Sequence, residues 1–429
     1  MSTTADDRSL APQPQALDTT VVTSWKAPIA LGIFTLLLLA LAVFAPRPGD
    51  TTYRLSLPND VIQLPELVVP TMPALWIVVV LLAAATAFAA FIVSTKRRVP
   101  LWLIVVFAIL FVFGFLTWAG AGASLPMIGL LFGSLSLAVP LIFGSLAGVI
   151  GERAGVVNIA IEGQLLAGAF TAAIVASVTG QPLLGLVAAM VAGMLVGMVL
   201  AAFAIKYFVD QVIVGVVLNV LVVGLTSFFF SQVLAPNAAT LNTPPRFDRL
   251  PIPVLSEIPI IGPVLFRQTL VVYLMYIAVA LVWFGLFKTR WGLRVRAVGE
   301  HPQAADTVGI NVNRTRFWNV ALAGSIAGLG GTFFTIGSGI AFNREMTAGA
   351  GFIALAAVIF GQWDPIKATL AALLFGFASN LQNTLSVIGS PVPSEFMLML
   401  PYVVTIFAVA GFVGRSRAPA ADGKPYIKS

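Results

Sequence analysis

Apolar residues occupy most of the chain in runs of about twenty, separated by polar and glycine-rich segments. A helix of about 20 apolar residues crosses a bilayer core about 30 Å thick. Because that core holds no water for backbone groups, the runs must satisfy their own hydrogen bonds as helices. The pattern therefore predicts an all-α polytopic membrane protein of about 12 spans. We place them at 27–45, 73–93, 100–118, 126–148, 156–178, 183–205, 211–233, 268–287, 317–341, 347–362, 366–386 and 395–413.

Composition leaves little room for a soluble fold. Of 429 residues, 59% are hydrophobic and 10% are charged, whereas a soluble domain carries about 25% charged residues. The first apolar run follows polar residues without a small-residue cleavage site, which indicates a retained anchor rather than a signal peptide. The chain has no cysteine, which excludes disulfides, thiolate metal sites and thiol catalysis.

The basic residues predict an orientation. Only six of the 24 lysines and arginines fall outside if the N-terminus is cytoplasmic: Arg47, Arg54, Arg246, Arg249, Arg267 and Arg344. This bias is the one that the positive-inside rule expects, and it also predicts a cytoplasmic C-terminus. The net charge of +7 thus follows from topology, and we expect no binding of nucleic acid.

The same pattern divides the chain. We predict a cytoplasmic N-terminal tail, an extension with two transmembrane helices, a main transmembrane domain, a basic cytoplasmic connection within it and a cytoplasmic C-terminal tail, at 1–24, 25–99, 100–415, 288–316 and 416–429. Both tails are expected to be disordered. Two proline-rich connections on the predicted outer side, 46–71 and 235–267, are expected to form irregular caps.

Glycines four residues apart predict close helix packing. Three such pairs occur: Gly144 with Gly148, Gly193 with Gly197, and Gly324 with Gly328. The chain lacks the common enzyme motifs. It has no Gly-x-x-x-x-Gly-Lys-Ser/Thr phosphate loop. Its single histidine, His301, we interpret as a solvated loop residue. Without a cluster of metal-ligand spacing, we expect a non-catalytic transport protein that binds no metal or cofactor directly.

The candidates for solute binding within the spans are one aromatic residue, Phe352, as a stacking surface, and five polar residues: Asn158, Glu162, Asn219, Asn380 and Asn383. Asn158 and Glu162 are four apart, so they share a face if the glycine-rich segment 151–164 is helical there. A carboxylate at that depth usually faces the protein interior or a water-filled path. The alternative for each polar residue is an interhelical hydrogen bond, and Glu162 could brace a broken helix or pair with Arg153.

Two glycine-broken runs, 154–181 and 347–365, each end in a Gly-Gln turn before a new helix. The topology gives them opposite directions across the membrane, which is typical of an inverted repeat with a site between its halves.

Three segments carry a resemblance to a known family: 151–164 (GERAGVVNIAIEGQ), 291–312 (WGLRVRAVGEHPQAADTVGINV) and 349–361 (GAGFIALAAVIFG). The first two resemble signatures of bacterial ABC importer permeases for nucleosides, and the third is shared with the ribose and other simple-sugar permeases. The resemblance covers about residues 100 to 415. It implies an ABC importer transmembrane domain with discontinuous helices and about ten spans, to which the segment 25–99 adds two more.

The resemblance also implies a coupling helix in 294–309 that docks into the ATPase. The residues expected to serve that coupling are Arg294, Arg296, Glu300, Ala304, Ala305, Asp306 and Gly309. The implied partners are a separate ATPase subunit with two nucleotide-binding domains, which would hold ATP and Mg, a second and related permease that makes a heterodimer, and an extracytoplasmic substrate-binding lipoprotein. The expected location is the bacterial cytoplasmic membrane, in contact with lipid.

Three functions stay open at this point. The first is ATP-driven import of nucleosides, whose ring and ribose hydroxyls suit amide and aromatic side chains. The second keeps the same architecture for a simple sugar such as ribose. The third is a proton-coupled secondary transporter in which Glu162 carries the proton.

Overall fold

The computed structural model describes residues 24–58, 60–390, 392–393, 395–396, 399 and 418–428. Its helices in chain order are α1 Lys26–Phe44, α2 Thr71–Ser94, α3 Leu101–Ala119, α4 Met127–Arg153, α5 Ile161–Thr179, α6 Pro182–Ala201, α7 Gln211–Phe229, α8 Ala238–Leu241, α9 Leu270–Lys288, α10 Arg290–Glu300, α11 Pro302–Thr307, α12 Val312–Gly331, α13 Ala350–Phe360 and α14 Pro365–Val387. Within the described ranges the structure also has five short strands: β1 Asp50–Arg54, β2 Leu67–Pro70, β3 Ser124–Pro126, β4 Arg249–Pro251 and β5 Arg267–Thr269.

The prediction of an all-α polytopic membrane protein is confirmed. In the described part of the chain, nine helical segments are long and apolar enough to cross a membrane, in α1 to α7, α9 and α12. The predicted span at 395–413 lies almost entirely outside the described residues, so the total of about 12 spans stays a prediction.

Three predicted spans are wrong in extent. The one expected at 317–341 is helical from Val312 to Phe334 instead. The helix expected from residue 156 begins only at Ile161, because the backbone between α4 and α5 is irregular. The span expected at 347–362 contains α13, whose 11 residues are too short, at 1.5 Å per residue, for a core about 30 Å thick. Glycines at positive φ precede α5 and α13, Gly155 at 86° and Gly349 at 83°, a backbone region that other residues rarely adopt.

Helix α4 forms the centre of the bundle. Every residue from Ala138 to Glu152 is buried, so the helix is covered on all sides rather than on one stripe. Gly144 and Gly148 lie against α13, since a Cβ atom on either one would come within 2.7 Å of Ala354 or Val358. The first predicted glycine pair therefore admits the short broken helix into the core.

The other two glycine pairs face each other, as close packing requires. A Cβ on Gly193 of α6 would lie 2.2 Å from the Gly324 carbonyl oxygen of α12, and a Cβ on Gly324 would lie 2.3 Å from the Gly193 oxygen. Gly168 of α5 meets the backbone of Gly328 in the same way, at 2.2 Å. Because the obstacle is backbone in each case, only glycine lets these three helices approach so closely.

The N-terminal extension joins the main domain through a mixed sheet. Strand β1 pairs antiparallel with β2 and parallel with β3, which leads directly into α4. The Asp60 carboxylate accepts a hydrogen bond from the Arg267 guanidinium at 2.7 Å, next to the antiparallel β4–β5 pair. The two proline-rich connections expected to be irregular thus contain strands. We call this end of the molecule the strand face, and the opposite end, formed by α10 and α11, the coupling face.

Candidate functional site

The irregular segment 154–160 between α4 and α5 is held by side chains from elsewhere. The Val157 N–H donates to the Gln211 Oε1 at 2.8 Å. Asn219 of α7 accepts from the Gly163 N–H and donates to the Ile159 carbonyl oxygen, both at 2.8 Å. These bonds replace those that a continuous helix would supply, since buried backbone groups need partners.

Glu162 joins the two broken segments. Its Oε1 accepts from the Thr347 hydroxyl at 2.6 Å and from the Gly349 N–H at 2.9 Å, and its Oε2 accepts from the Gly351 N–H at 2.6 Å. The carboxylate therefore occupies the N-terminus of α13, where unpaired N–H groups and the helix dipole favour a negative charge. The contact is tight, because a Cβ on Gly351 would lie 2.4 Å from the Glu162 nitrogen.

Asn158 and Glu162 do not share a helix face, since Asn158 precedes the first turn of α5. Instead Asn158 and Gln164 exchange two amide hydrogen bonds of 3.0 and 3.2 Å, with both side chains fully buried. Glu162 is also not paired with Arg153, whose Nε donates to the Trp363 carbonyl oxygen at 3.0 Å. The binding of solute by Asn158 and Glu162 stays a prediction.

The remaining predicted solute residues lie elsewhere. Asn380 of α14 is buried and donates to the Leu130 carbonyl oxygen of α4 at 2.7 Å. Asn383 is exposed one turn further on, and Phe352 is 51% exposed on α13. The structure thus brings Glu162 and Asn219 to the same broken segment, through Gly163, and places Asn380 in a separate contact between α4 and α14.

On the coupling face, α10 and α11 form a compact helical pair. Gly299 packs on the end of α4, since a Cβ there would lie 2.2 Å from the Arg153 carbonyl oxygen. The coupling helix expected in 294–309 is divided between α10 and α11, because α11 begins anew at Pro302. Of the predicted coupling residues, Arg294, Glu300, Ala304 and Gly309 are exposed, Arg296 and Asp306 are half-buried, and Ala305 is buried.

The C-terminal segment 418–428, expected to be disordered, packs on this helical pair. The Ala421 N–H donates to the Gly299 carbonyl oxygen at 2.9 Å, and Tyr426 is buried against Val298, Ala305 and Val312. An aromatic residue within an otherwise polar tail was the signal for this contact, and apolar side chains seek burial. The sequence analysis missed it.

Arg316 lies buried beneath that segment. Its Nη1 donates to the Lys424 carbonyl oxygen at 2.8 Å, and its Nη2 lies 3.4 Å from the Ala421 oxygen. Burial raises the pKa of the neighbouring Asp422 carboxyl, although the Gly423 N–H and the Arg316 charge favour its ionised form.

No group of three metal-ligating side chains converges anywhere in the described ranges.

The strand face holds a cavity that the sequence analysis did not identify. Its volume is about 460 Å³, and segments from α4, β4–β5, α9 and the turn that follows α12 line it. The lining residues are Phe132, Ser136, Arg246, Phe247, Asp248, Arg249, Gln268, Thr269, Val272, Phe333, Gly337 and Ser338. A neighbouring cavity of about 530 Å³ shares Phe132 and Arg249 and adds Leu57 and Pro58 of the N-terminal extension.

Comparison with known proteins gives a consistent result. Residues 130–409 match the family described as the permease component of branched-chain amino acid transport systems. The chain is 44% identical over 308 residues to the guanosine ABC transporter permease protein NupQ of Bacillus subtilis, covering 69% of this chain and 95% of that protein. It is 40% identical over 310 residues to the nucleoside ABC transporter permease protein NupC of Lactococcus lactis, with the same coverage.

A relative that is named for a different solute is more distant. The chain is 36% identical over 258 residues to the putative glucose ABC transporter permease protein TsgC13 of Haloferax volcanii, covering 59% of this chain and 77% of that protein. No solved structure matches the chain.

Proposed function

The chain belongs to the family of branched-chain amino acid transport system permease components, and on that basis we propose that it is the transmembrane subunit of an ATP-driven importer for nucleosides. The observation that carries the nucleoside assignment is the similarity to NupQ and NupC, which extends over 95% of each. The second candidate solute is a simple sugar, which the similarity to TsgC13 favours less strongly.

We propose that the strand face lies outside the cytoplasmic membrane and that the coupling face and both termini lie in the cytoplasm. The charge pattern supports this orientation, because α10 and the start of α12 bring Arg290, Arg294 and Arg314 to the coupling face, and cytoplasmic loops carry an excess of basic residues. A separate ATPase subunit with two nucleotide-binding domains would bind ATP and Mg beneath them. This permease would be non-catalytic and hold no cofactor itself.

The coupling face suits a docking surface for that ATPase. We propose that Arg294, Glu300, Ala304 and Gly309, all exposed, contact the partner. The three remaining coupling residues are at least half-buried and would stabilise the position of α10 and α11 against the rest of the protein: Arg296, Ala305 and Asp306. Movement of this pair would reach the bundle directly, because Gly299 lies against the end of α4 and α4 contacts both broken segments.

For the solute path we propose two kinds of role among the predicted residues. Four of these residues already form hydrogen bonds with other parts of the protein, so they would stabilise the walls of the path: Asn158, Glu162, Asn219 and Asn380. Asn383 and Phe352 present exposed side chains and would contact solute or the second, related permease of a heterodimer. An extracytoplasmic lipoprotein would deliver the solute to the strand face.

Uptake of radiolabelled guanosine tests the proposal, in cells that lack the gene and in the same cells carrying it on a plasmid. We expect uptake only with the gene, competition by other nucleosides and none by ribose. Loss of uptake on ATP depletion, but not on addition of a protonophore at constant ATP, separates the importer from a proton-coupled transporter. Equal guanosine uptake with and without the gene would overturn the proposal.

A further inference from the structure

We infer that the strand-face cavity of about 460 Å³ is the first binding site for solute within this permease, and that it takes the flat heteroaromatic ring of a nucleoside. The inference rests on the proposed function and orientation, which open this cavity to the outside. Its volume falls in the range of about 300–1,000 Å³ that is typical of small-molecule sites. None of the predicted solute residues lines it, so it is a separate site.

Three phenylalanines from distant parts of the chain line this cavity: Phe132 of α4, Phe247 of the segment before β4, and Phe333 of the turn that follows α12. All three are half-buried, so each keeps part of its ring accessible. Aromatic faces stack on flat rings of any base, a contact worth about 1–3 kcal/mol per base. A sugar without a base offers such a wall only its C–H groups, whereas a nucleoside adds a flat ring that stacks on an aromatic face, and this difference favours a nucleoside.

Polar groups on the same cavity fit the edge of a base and the ribose hydroxyls. Asp248 is exposed and forms no ion pair within the described ranges, so its carboxylate is available to accept from amino, imino or hydroxyl donors. The Thr269 hydroxyl is buried in the lining and makes no hydrogen bond in the described part of the chain. Ser136 adds a hydroxyl that can donate and accept, and Ser338, whose hydroxyl donates to the Phe334 carbonyl oxygen at 2.8 Å, adds an acceptor.

The mouth of the cavity is fixed rather than loose. The Arg249 guanidinium lies 4.6 Å from the centre of the Phe132 ring. The Phe247 N–H donates to the Ile336 carbonyl oxygen at 2.9 Å, which fixes this segment against the turn that follows α12. Gly339, at a φ of 75°, lets Arg246 approach so closely that a Cβ there would lie 2.9 Å from the arginine Cδ. Preformed walls lower the ordering cost of binding.

The N-terminal extension contributes to the same region. Leu57 and Pro58 line the neighbouring cavity, which shares Phe132 and Arg249 with the first one, and the Asp60–Arg267 ion pair fastens the extension there. The family match begins only at residue 130, so this wall comes from outside the matched residues. The structure thereby gives the extension a place beside the site.

Photolabelling tests the location directly. Membranes with the complete importer are irradiated with radioactive 8-azidoadenosine, after the probe is shown to compete with guanosine for uptake, and the labelled peptides are identified by mass spectrometry. We expect label in peptides that contain Phe132 to Ser136 or Arg246 to Arg249, displaced by unlabelled guanosine and not by ribose. Label confined to other peptides, or no label from a competing probe, would overturn the inference.

Kinetics of uptake give a second, independent test. Phe247→Ala and Asp248→Asn should each raise the KM for guanosine about tenfold, as loss of one stacked or hydrogen-bonded group predicts, at unchanged amounts of protein in the membrane. Matched controls are Phe228→Ala and Glu257→Gln, exposed side chains outside the cavity, which should leave the KM unchanged. An unchanged KM in both cavity variants refutes the site, whereas absence of guanosine uptake in the unmodified importer refutes the proposed function instead.

Discussion

Arg316 of α12 donates a hydrogen bond to the Lys424 carbonyl oxygen at 2.8 Å, although 108 residues separate the two along the chain. Through this bond the C-terminal segment 418–428 covers a buried guanidinium and reaches α10 and α11. A buried charge left without partners is costly, so the segment and Arg316 depend on each other.

Removal of residues 419–429 should therefore disturb coupling. We expect at least about a fivefold loss of ATP-driven uptake, a typical size for a lost coupling between two sites, with the protein still present in the membrane. Arg316→Ala should have the same effect. Arg314→Ala, an exposed arginine two residues away, is the matched control and should retain uptake. Full uptake by the truncated protein would show that the segment plays no part.

The tail contact should weaken as pH rises. Burial raises the pKa of Asp422 from 3.8 to about 7, and its ionisable neighbours are the Arg316 guanidinium and the Glu152 carboxyl. A carboxyl with a raised pKa binds its proton more tightly in the packed state, so packing is favoured below about pH 4 and loses that contribution as pH rises to about 7. Protease cleavage of the tail in inside-out vesicles should accelerate over this interval. Asp422→Asn should reduce the pH dependence, because it removes this carboxyl and leaves that of Glu152.

Substitution of Glu162 distinguishes a brace from a solute ligand. Glu162→Ala leaves three donors at the start of α13 unpaired, at about 1–3 kcal/mol for each buried group, so the midpoint of thermal unfolding and uptake should both fall sharply. Glu162→Gln keeps one acceptor oxygen and should be intermediate in both measurements. If Glu162→Gln abolishes uptake at an unchanged midpoint, the carboxylate acts on solute or on a proton instead.

The contact between α6 and α12 should leave no room for a side chain at its glycines. Gly324→Ala places a Cβ about 2.3 Å from the Gly193 carbonyl oxygen, and overpacking of this kind costs about 1–3 kcal/mol. Gly224→Ala is the control, since nothing lies within 4 Å of its Cβ position on α7. Thermal unfolding in detergent should show a lower midpoint for the first variant and an equal or higher one for the second, because alanine favours helix.

The two residues of the ion pair between the extension and the main domain should differ in how much they stabilise the extension. Asp60 accepts from Arg267 and also from the Leu57 N–H at 2.8 Å, so Asp60→Ala removes two bonds and Arg267→Ala only one. Asp60→Ala should therefore increase proteolysis of the loop near Leu57 more than Arg267→Ala does, as measured on sealed right-side-out vesicles. Equal effects would mean that the second bond contributes nothing.

Helix content and approximate span positions followed from the sequence because lipid imposes one rule everywhere, that apolar runs must form helices. The glycine pairs could also be predicted from the sequence, because small residues four apart on a membrane helix are typical of close helix–helix contacts. The ends of α5 and α13 could not be predicted, because irregular backbone is stable there only where distant side chains form hydrogen bonds with its N–H and carbonyl groups. Gln211, Asn219 and Glu162 perform that task, and no local pattern identifies them as partners.

By itself the sequence determined that this protein is a helical membrane permease, since composition and the three family signatures depend on residues that are neighbours along the chain. Only the tertiary structure decided what the polar residues do. Glu162 caps α13, and Arg316 is covered by the C-terminal segment. The cavity around Phe132, Phe247 and Phe333 exists only in the folded chain. Each of these arrangements joins positions more than 80 residues apart along the chain, a separation over which only packing can act.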